Sequence, residues 1–226
     1  MISAKKIIEN PFYSIAHKGD EKIIMPASEI KKIKDLAKKV CKNNILFVVG
    51  EPGSGKSLVE KELEKAIPKN YEVRKLLFTV DLLNELRALP SEVVLQKKKF
   101  IVFIDKFELS DVVDDKKLKK ILDVISETSK AGVGFVISCL PQTLARVFEI
   151  SDELKKSSIV YNVPRLTYEQ AKMLVISRLN SVRKKKSNSI EPFTEHELKS
   201  IWRTSNGNPR MILLLCANIY ENKKSD

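Results

Sequence analysis

The segment GEPGSGKS, residues 50 to 57, constrains what this chain can fold into more than any other stretch. Three of the seven glycines in the chain fall inside it. A loop that wraps phosphate must turn successive backbone N–H groups inward, and glycine permits both the backbone angles and the close approach. The segment fits G-x-x-x-x-G-K-[ST] and has the flanks such a loop needs: ILFVVG (45 to 50) reads as a buried strand before it, and SLVEKELEKAI as a helix after it. In that setting Lys56 is placed to hold the β and γ phosphates and Ser57 to ligate Mg²⁺, while the helix N-terminus adds its dipole. The neighbours that complete a nucleotide-contacting stretch are Gly50, Glu51, Pro52, Gly53, Ser54, Gly55 and Leu58. An ordinary strand-to-helix turn is the competing reading, and the flanks disfavour it.

Further apolar runs follow at RKLLFTV (74 to 80), FIVFID (100 to 105), GVGFVIS (132 to 138) and SSIVYNV (157 to 163), with helical stretches such as DKKLKKILDVISETSK between them. Runs apolar on both faces and separated by helices predict a five-stranded parallel sheet covered on each side, an α/β fold. Ahead of the sheet, SEIKKIKDLAKKVCK places Ile30, Ile33, Leu36, Ala37 and Val40 on one helix face with lysines opposite. The residues before it, 1 to 27, show no period and read as an extended arm.

After Pro164 strand signals stop. Thr167 with Gln170 and Thr194 with Glu197 have capping-box spacing, and Asn208 followed by Pro209 reads as the cap and first residue of a third helix. The expected division is thus an arm (1–27), an α/β nucleotide-binding domain (28–164) and a small all-helical domain (165–226), with RKKKSNS (183 to 189) as an inter-helix loop.

Asp105 closes the third strand, where a second metal-side acid serves a phosphate loop, often through water. The residue after it is Lys106. An ammonium offers no proton acceptor at neutral pH, so a base for hydrolysis is not found where one would look first.

With 226 residues, 43% of them hydrophobic, the chain has enough for a real core. Three cysteines without a CxxC pair, together with two histidines, argue against a zinc site or disulfide framework. The longest apolar runs fall well short of the ~20 residues that span a bilayer. The expectation is a chain of the cell interior, cytoplasmic or nuclear, with no membrane partner. Its 41 Lys and Arg against 29 Asp and Glu give a net charge of +12, which fits acidic partners such as nucleotides, or DNA bound without sequence preference, and equally a lysine-rich solubilising surface.

The sequence resembles AAA+ ATPases, in particular the branch of origin-recognition-type replication initiators and the related transposition-helper ATPases. The points of likeness are MPASEIKKI before the first strand, GEPGSGKS, FIVFID and GNPR (207 to 210). The resemblance implies a P-loop core with the phosphate-loop strand in mid-sheet, a helical lid over ATP or ADP with Mg²⁺, and sites completed by other AAA+ subunits of a homo- or hetero-oligomer. It implies that Met25 and Pro26 touch adenine, that Pro209 and Arg210 belong to the lid, and that Arg210 senses the γ-phosphate. It puts the polar sensor of the fourth strand on Ser138 and an arginine finger on Arg146. Where the family has Asp then Glu, this chain has Asp105 then Lys106, and Glu108 is the nearest substitute base. Initiators of that branch carry a DNA-reading winged helix beyond the lid, so either this chain is part of a longer protein or a partner reads the sequence.

The expected function is an ATP-binding switch or weak ATPase acting in DNA replication, maintenance or transposition. A signalling or scaffold protein using nucleotide as a structural cofactor is the alternative. A small-molecule kinase is disfavoured by the helical tail and by the lack of an arginine-rich lid between the third and fourth strands.

Overall fold

The computed structural model describes residues 10–13, 20–79, 81–96 and 99–225. In chain order the described elements are α1 (Asp20–Ile24), α2 (Ala27–Val40), β1 (Ile45–Val49), α3 (Lys56–Ala66), β2 (Tyr71–Leu77), α4 (Leu82–Gln96) and β3 (Lys99–Asp105). A short 3-10 helix (Phe107–Val112) leads to α5 (Asp115–Lys130), β4 (Val133–Cys139), α6 (Pro141–Ile150), α7 (Asp152–Ser157) and β5 (Ile159–Asn162). Three helices close the chain: α8 (Tyr168–Val182), α9 (Glu195–Thr204) and α10 (Pro209–Ser225). Two compact units result, one over 28–163 and one that joins the described residues up to Ala27 with the chain from Pro164 onward.

In the first unit five parallel strands form one sheet in the order β2-β3-β4-β1-β5. The three inner strands are buried almost throughout, whereas β2 and β5 at the edges are partly open. That is why the inner strands read as unbroken apolar runs: both faces are covered by helices. Edge strand β2 lies three residues earlier than its apolar run indicated, because an edge needs burial only at alternate positions and LLF marks its end, not its middle. The run at 157–163 also shrinks, since Ser157 closes α7, whose N-cap Ser151 accepts from the Leu154 N–H.

From β1 the chain moves to one side through β2, β3 and β4, then crosses β1 to reach β5. The strand order therefore reverses at β1. Open α/β sheets bind ligands in the crevice outside the strand C-termini at such a switch point, and GEPGSGKS leaves β1 there.

The second unit packs α8, α9 and α10 around Leu174, Val175, Leu198, Ile201, Ile212 and Cys216. Both predicted capping boxes form, Thr167 with Gln170 and Thr194 with Glu197. The lysine-rich loop before α9 is organised by Arg183, which donates to the Ser189 carbonyl at 2.8 Å and the Glu191 carbonyl at 2.7 Å.

The described part of the segment read as an extended arm departs from that reading. Asp20–Ile24 is helical, and Phe12, 3% exposed, packs edge-on against Phe193 and Tyr220. Asp20 pairs with Arg178 of α8 at 2.6 Å, both side chains buried. A five-residue helix is too short to show a period, so its membership in the helical core was invisible in sequence. The rest of that segment lies outside the described residues. No described helix is long and apolar enough to cross a membrane.

Candidate functional site

The loop after β1 is tied to the sheet by the Gly50 N–H, which donates to the Cys139 carbonyl at 3.3 Å. Gly53 and Gly55 have φ of 80° and 107°, the left-handed region in which a side chain is strained. Gly55 is also the N-cap of α3, and no side chain caps the helix there. The first N–H groups of α3 are thus left without a side-chain acceptor, and the dipole favours an anion beside them. Lys56, the first residue of α3, folds back so that its Nζ donates to the Gly50 carbonyl at 2.6 Å and the Glu51 carbonyl at 3.4 Å. Ser54 Oγ is buried without a hydrogen-bond partner, and a Cβ on Gly50 would come within 2.4 Å of it. Glu51, Pro52 and Ser57 are exposed and Leu58 half-buried.

Asp105 ends β3, two strands from β1, with its Oδ1 accepting the Lys106 N–H at 2.7 Å. Lys106 is exposed and left-handed (φ 56°, ψ 38°), so the backbone turns sharply there into the 3-10 helix. A cleft of 430 Å³ opens beside it, lined by Ser57, Glu60, Lys61, Glu64, Lys75 and Asp105. The two expected metal-side residues, Ser57 and Asp105, therefore share one cleft. Glu108 is not part of its lining; it sits on the 3-10 helix with one carboxylate oxygen buried and unpartnered.

Ser138, 1% exposed on β4, donates its hydroxyl to Glu60. Glu60 is a residue that sequence reasoning passed over. Burial pushes its carboxyl above the usual carboxylate range; the Ser138 bond pulls it back, and the Asp105 charge pushes it further up. The available signal was its position three residues after Ser57, which puts both on one side of α3. Glu62 and Glu64 on the same helix masked that signal.

Arg146, which the resemblance puts forward as an arginine finger, is bound within its own chain. Its guanidinium donates to the Ser110 carbonyl at 2.9 Å, the Val113 carbonyl at 2.6 Å and Asp115 Oδ1 at 2.6 Å. With Thr143 donating to Asp111 at 3.0 Å, α6 thereby clamps the segment that carries Glu108. Cys139 is inert, its thiol pushed up to about 12, chiefly by burial.

In the helical unit, Arg210 is exposed in the first turn of α10 after Pro209. Its turn is held from two sides. Asn208 Oδ1 accepts the Arg210 N–H at 3.1 Å, and the Leu166 N–H donates to the Gly207 carbonyl at 2.9 Å. Gly207 has φ of 68°, and a Cβ there would lie 2.6 Å from the Leu166 carbonyl oxygen. Met25 is buried and Pro26 half-buried in the chain segment that links α1 to α2.

Residues 28–186 match the family model for novel STAND NTPase 3. No curated protein sequence matches the chain. Among solved structures, the Aeropyrum pernix ORC1 protein in complex with DNA is similar with a TM-score of 0.57 at 11% identity, over 90% of this chain and 64% of that one. The Thermotoga maritima RuvB Holliday junction branch migration motor has a TM-score of 0.50 at 16% identity, over 88% of this chain and 66% of that one. Saccharomyces cerevisiae Hsp104 bound to casein has 0.50 at 13% identity, over 68% of this chain and 29% of that one. At these identities the likeness is one of fold, and the chain spans less than two thirds of the length of each of these three.

Proposed function

The chain belongs to the novel STAND NTPase 3 family, whose model covers residues 28–186, and from that premise we propose that it is an ATP-binding switch with slow hydrolytic turnover. The observation that carries this reading is the sharing of one 430 Å³ cleft by Ser57 and Asp105 beside a left-handed glycine loop. A hydroxyl and a carboxylate are the hard oxygen donors that suit Mg²⁺, which takes one or two protein ligands and leaves its other positions to phosphate and water. Ser57 and Asp105 would hold the ion, and when bound it supplies charge neutralisation on the phosphates. Lys56 exchanges the Gly50 and Glu51 carbonyls for phosphate oxygens, a gain because a charge replaces a dipole as its partner. The loop N–H groups and the open end of α3 orient the polyphosphate. Calorimetric titration of the protein with ATP and Mg²⁺ tests the reading. Binding should be measurable and Lys56→Ala should weaken it by about a hundredfold or more; a wild-type protein that takes up no nucleotide sinks the reading.

A finer role, as an initiator-like AAA+ subunit acting on DNA in replication or transposition, is favoured by the net charge of +12 and by the likeness of fold to a DNA-bound protein. In it Arg210 reports the γ-phosphate, Met25 and Pro26 cover the base, and subunits assemble around nucleotide. Several lysines are already paired with acids on their own helices, Lys32 with Glu29, Lys38 with Asp35 and Lys119 with Asp123, which lowers the charge free for phosphate contacts. Duplex binding that ignores both salt and nucleotide would count against this role.

A further inference from the structure

We propose that Glu60, held by the Ser138 hydroxyl on the wall of the cleft shared by Ser57 and Asp105, is the carboxylate that activates the attacking water when bound nucleoside triphosphate is hydrolysed. The inference rests on the nucleotide-binding reading above and supplies the base that the sequence lacks after Asp105.

Three acids line the cleft. Asp105 turns one oxygen onto the Lys106 N–H and belongs to the metal side. Glu64 is spent on an ion pair with Lys75 at 2.7 Å. Glu60 alone of the three accepts from a neutral side chain, the hydroxyl of Ser138, which fixes its direction without cancelling its charge. Among the described residues that hydroxyl is its only hydrogen-bond partner. Burial strengthens its hold on a proton, the change a base working near neutrality requires. The two rivals fare worse: Lys106 cannot accept a proton, and Glu108 stands outside the cleft on a segment clamped by Arg146 and Thr143. Glu60 also rides on the helix that begins at Lys56, so the base and the phosphate-binding lysine are set by one rigid element.

In the step itself, a lone pair of the water oxygen forms the new bond to the γ-phosphorus. The bond from that phosphorus to the bridging oxygen breaks, its electron pair leaving on the nucleoside diphosphate. The water proton passes to the Glu60 carboxylate and then to solvent, with no change of oxidation state. Ser138 is a positioning residue that acts through Glu60.

The test compares wild type, Glu60→Gln, Ser138→Ala and the double variant for ATP turnover, for affinity toward a fluorescent ATP analogue with Mg²⁺, and for melting without nucleotide. Glu60→Gln should lower kcat by about a hundredfold or more while affinity stays within about threefold. Glutamine preserves shape and removes a buried charge, so melting should be unchanged or higher. Ser138→Ala should lose about tenfold in kcat, and the double variant should be no slower than Glu60→Gln alone, because the two act as a unit. The proposal is overturned if Glu60→Gln keeps wild-type turnover, if its loss appears equally in affinity, if Glu108→Gln rather than Glu60→Gln abolishes turnover, or if wild type binds ATP and never hydrolyses it. Failure of wild type to bind ATP instead overturns the function on which the proposal rests.

Discussion

Replacing Gly207 by alanine tests whether the turn that carries Arg210 is held as rigidly as its contacts imply. Two costs add. The left-handed backbone, φ 68°, charges any residue with a Cβ about 1 to 2 kcal/mol. The new Cβ would lie 2.6 Å from the Leu166 carbonyl oxygen, well inside contact distance. That oxygen cannot yield freely, because it accepts the Trp202 indole N–H at 2.9 Å, and the Leu166 N–H is bound to the Gly207 carbonyl at 2.9 Å. Moving it aside weakens a hydrogen bond worth about 1 kcal/mol. The sum is about 2 to 3 kcal/mol, which shifts Tm by roughly 4 to 12 °C at the 2 to 4 °C per kcal/mol expected for a chain of this size. Trp202 is the single tryptophan of the chain, so its fluorescence during urea unfolding reports on this turn directly. Gly132→Ala is the control: φ is 109° but nothing lies within 4 Å of the added Cβ, so only the backbone cost applies. Its loss, followed by far-UV circular dichroism, should be about 1 kcal/mol smaller than that of Gly207→Ala. Equal losses at the two glycines would refute the packing argument and leave backbone strain as the whole effect.

Asp20→Ala should cost about 3 to 5 kcal/mol because it strips the carboxylate from the buried Arg178 guanidinium; Asp20→Leu combined with Arg178→Met should recover most of the loss in thermal melting. Arg146→Ala should destabilise the segment around Glu108 by about 2 kcal/mol in the absence of nucleotide, read as faster proteolysis there; a variant as resistant as wild type would show that the clamp is idle. Glu197 is held down at about 2 from an ordinary 4.5, first by the Lys223 ammonium and then by the Thr194 N–H. A carboxyl with a depressed folded value gives stability that is complete above pH 4.5 and is lost as pH falls toward 2. Glu195, lowered by Lys172 and Tyr168, adds to the same limb, so Glu197→Gln should flatten the acid loss followed by Trp202 without abolishing it.

The phosphate loop was legible because its demand is local: glycines at fixed offsets between a strand and a helix leave few alternatives. The sheet was legible for a related reason, since inner strands buried on both faces announce themselves as apolar runs. Asp105 followed from the end of such a run. What could not be read depends on partners far along the chain. Glu60 differs from Glu62 and Glu64 only in what it faces, and that is a serine 78 residues away. Nothing in TLARVFEI reveals the carbonyls of Ser110 and Val113 to which Arg146 donates. Phe12 and Asp20 gave no periodic signal, yet their burial makes them part of the helical unit.

The discontinuity of that unit also bears on how the chain matures. Asn10 donates to the Ala217 carbonyl at 3.1 Å, a contact 207 residues apart in sequence. At about 5 to 20 residues per second, a ribosome needs about 10 to 40 s to deliver the second partner after the first. During that interval the 28–163 unit already has every strand it needs, while Phe12 and Asp20 wait without a core. The sheet unit is thus ready to fold before the helical unit, and an expression fragment that begins at Ser28 would deprive the Arg178 guanidinium of the Asp20 carboxylate.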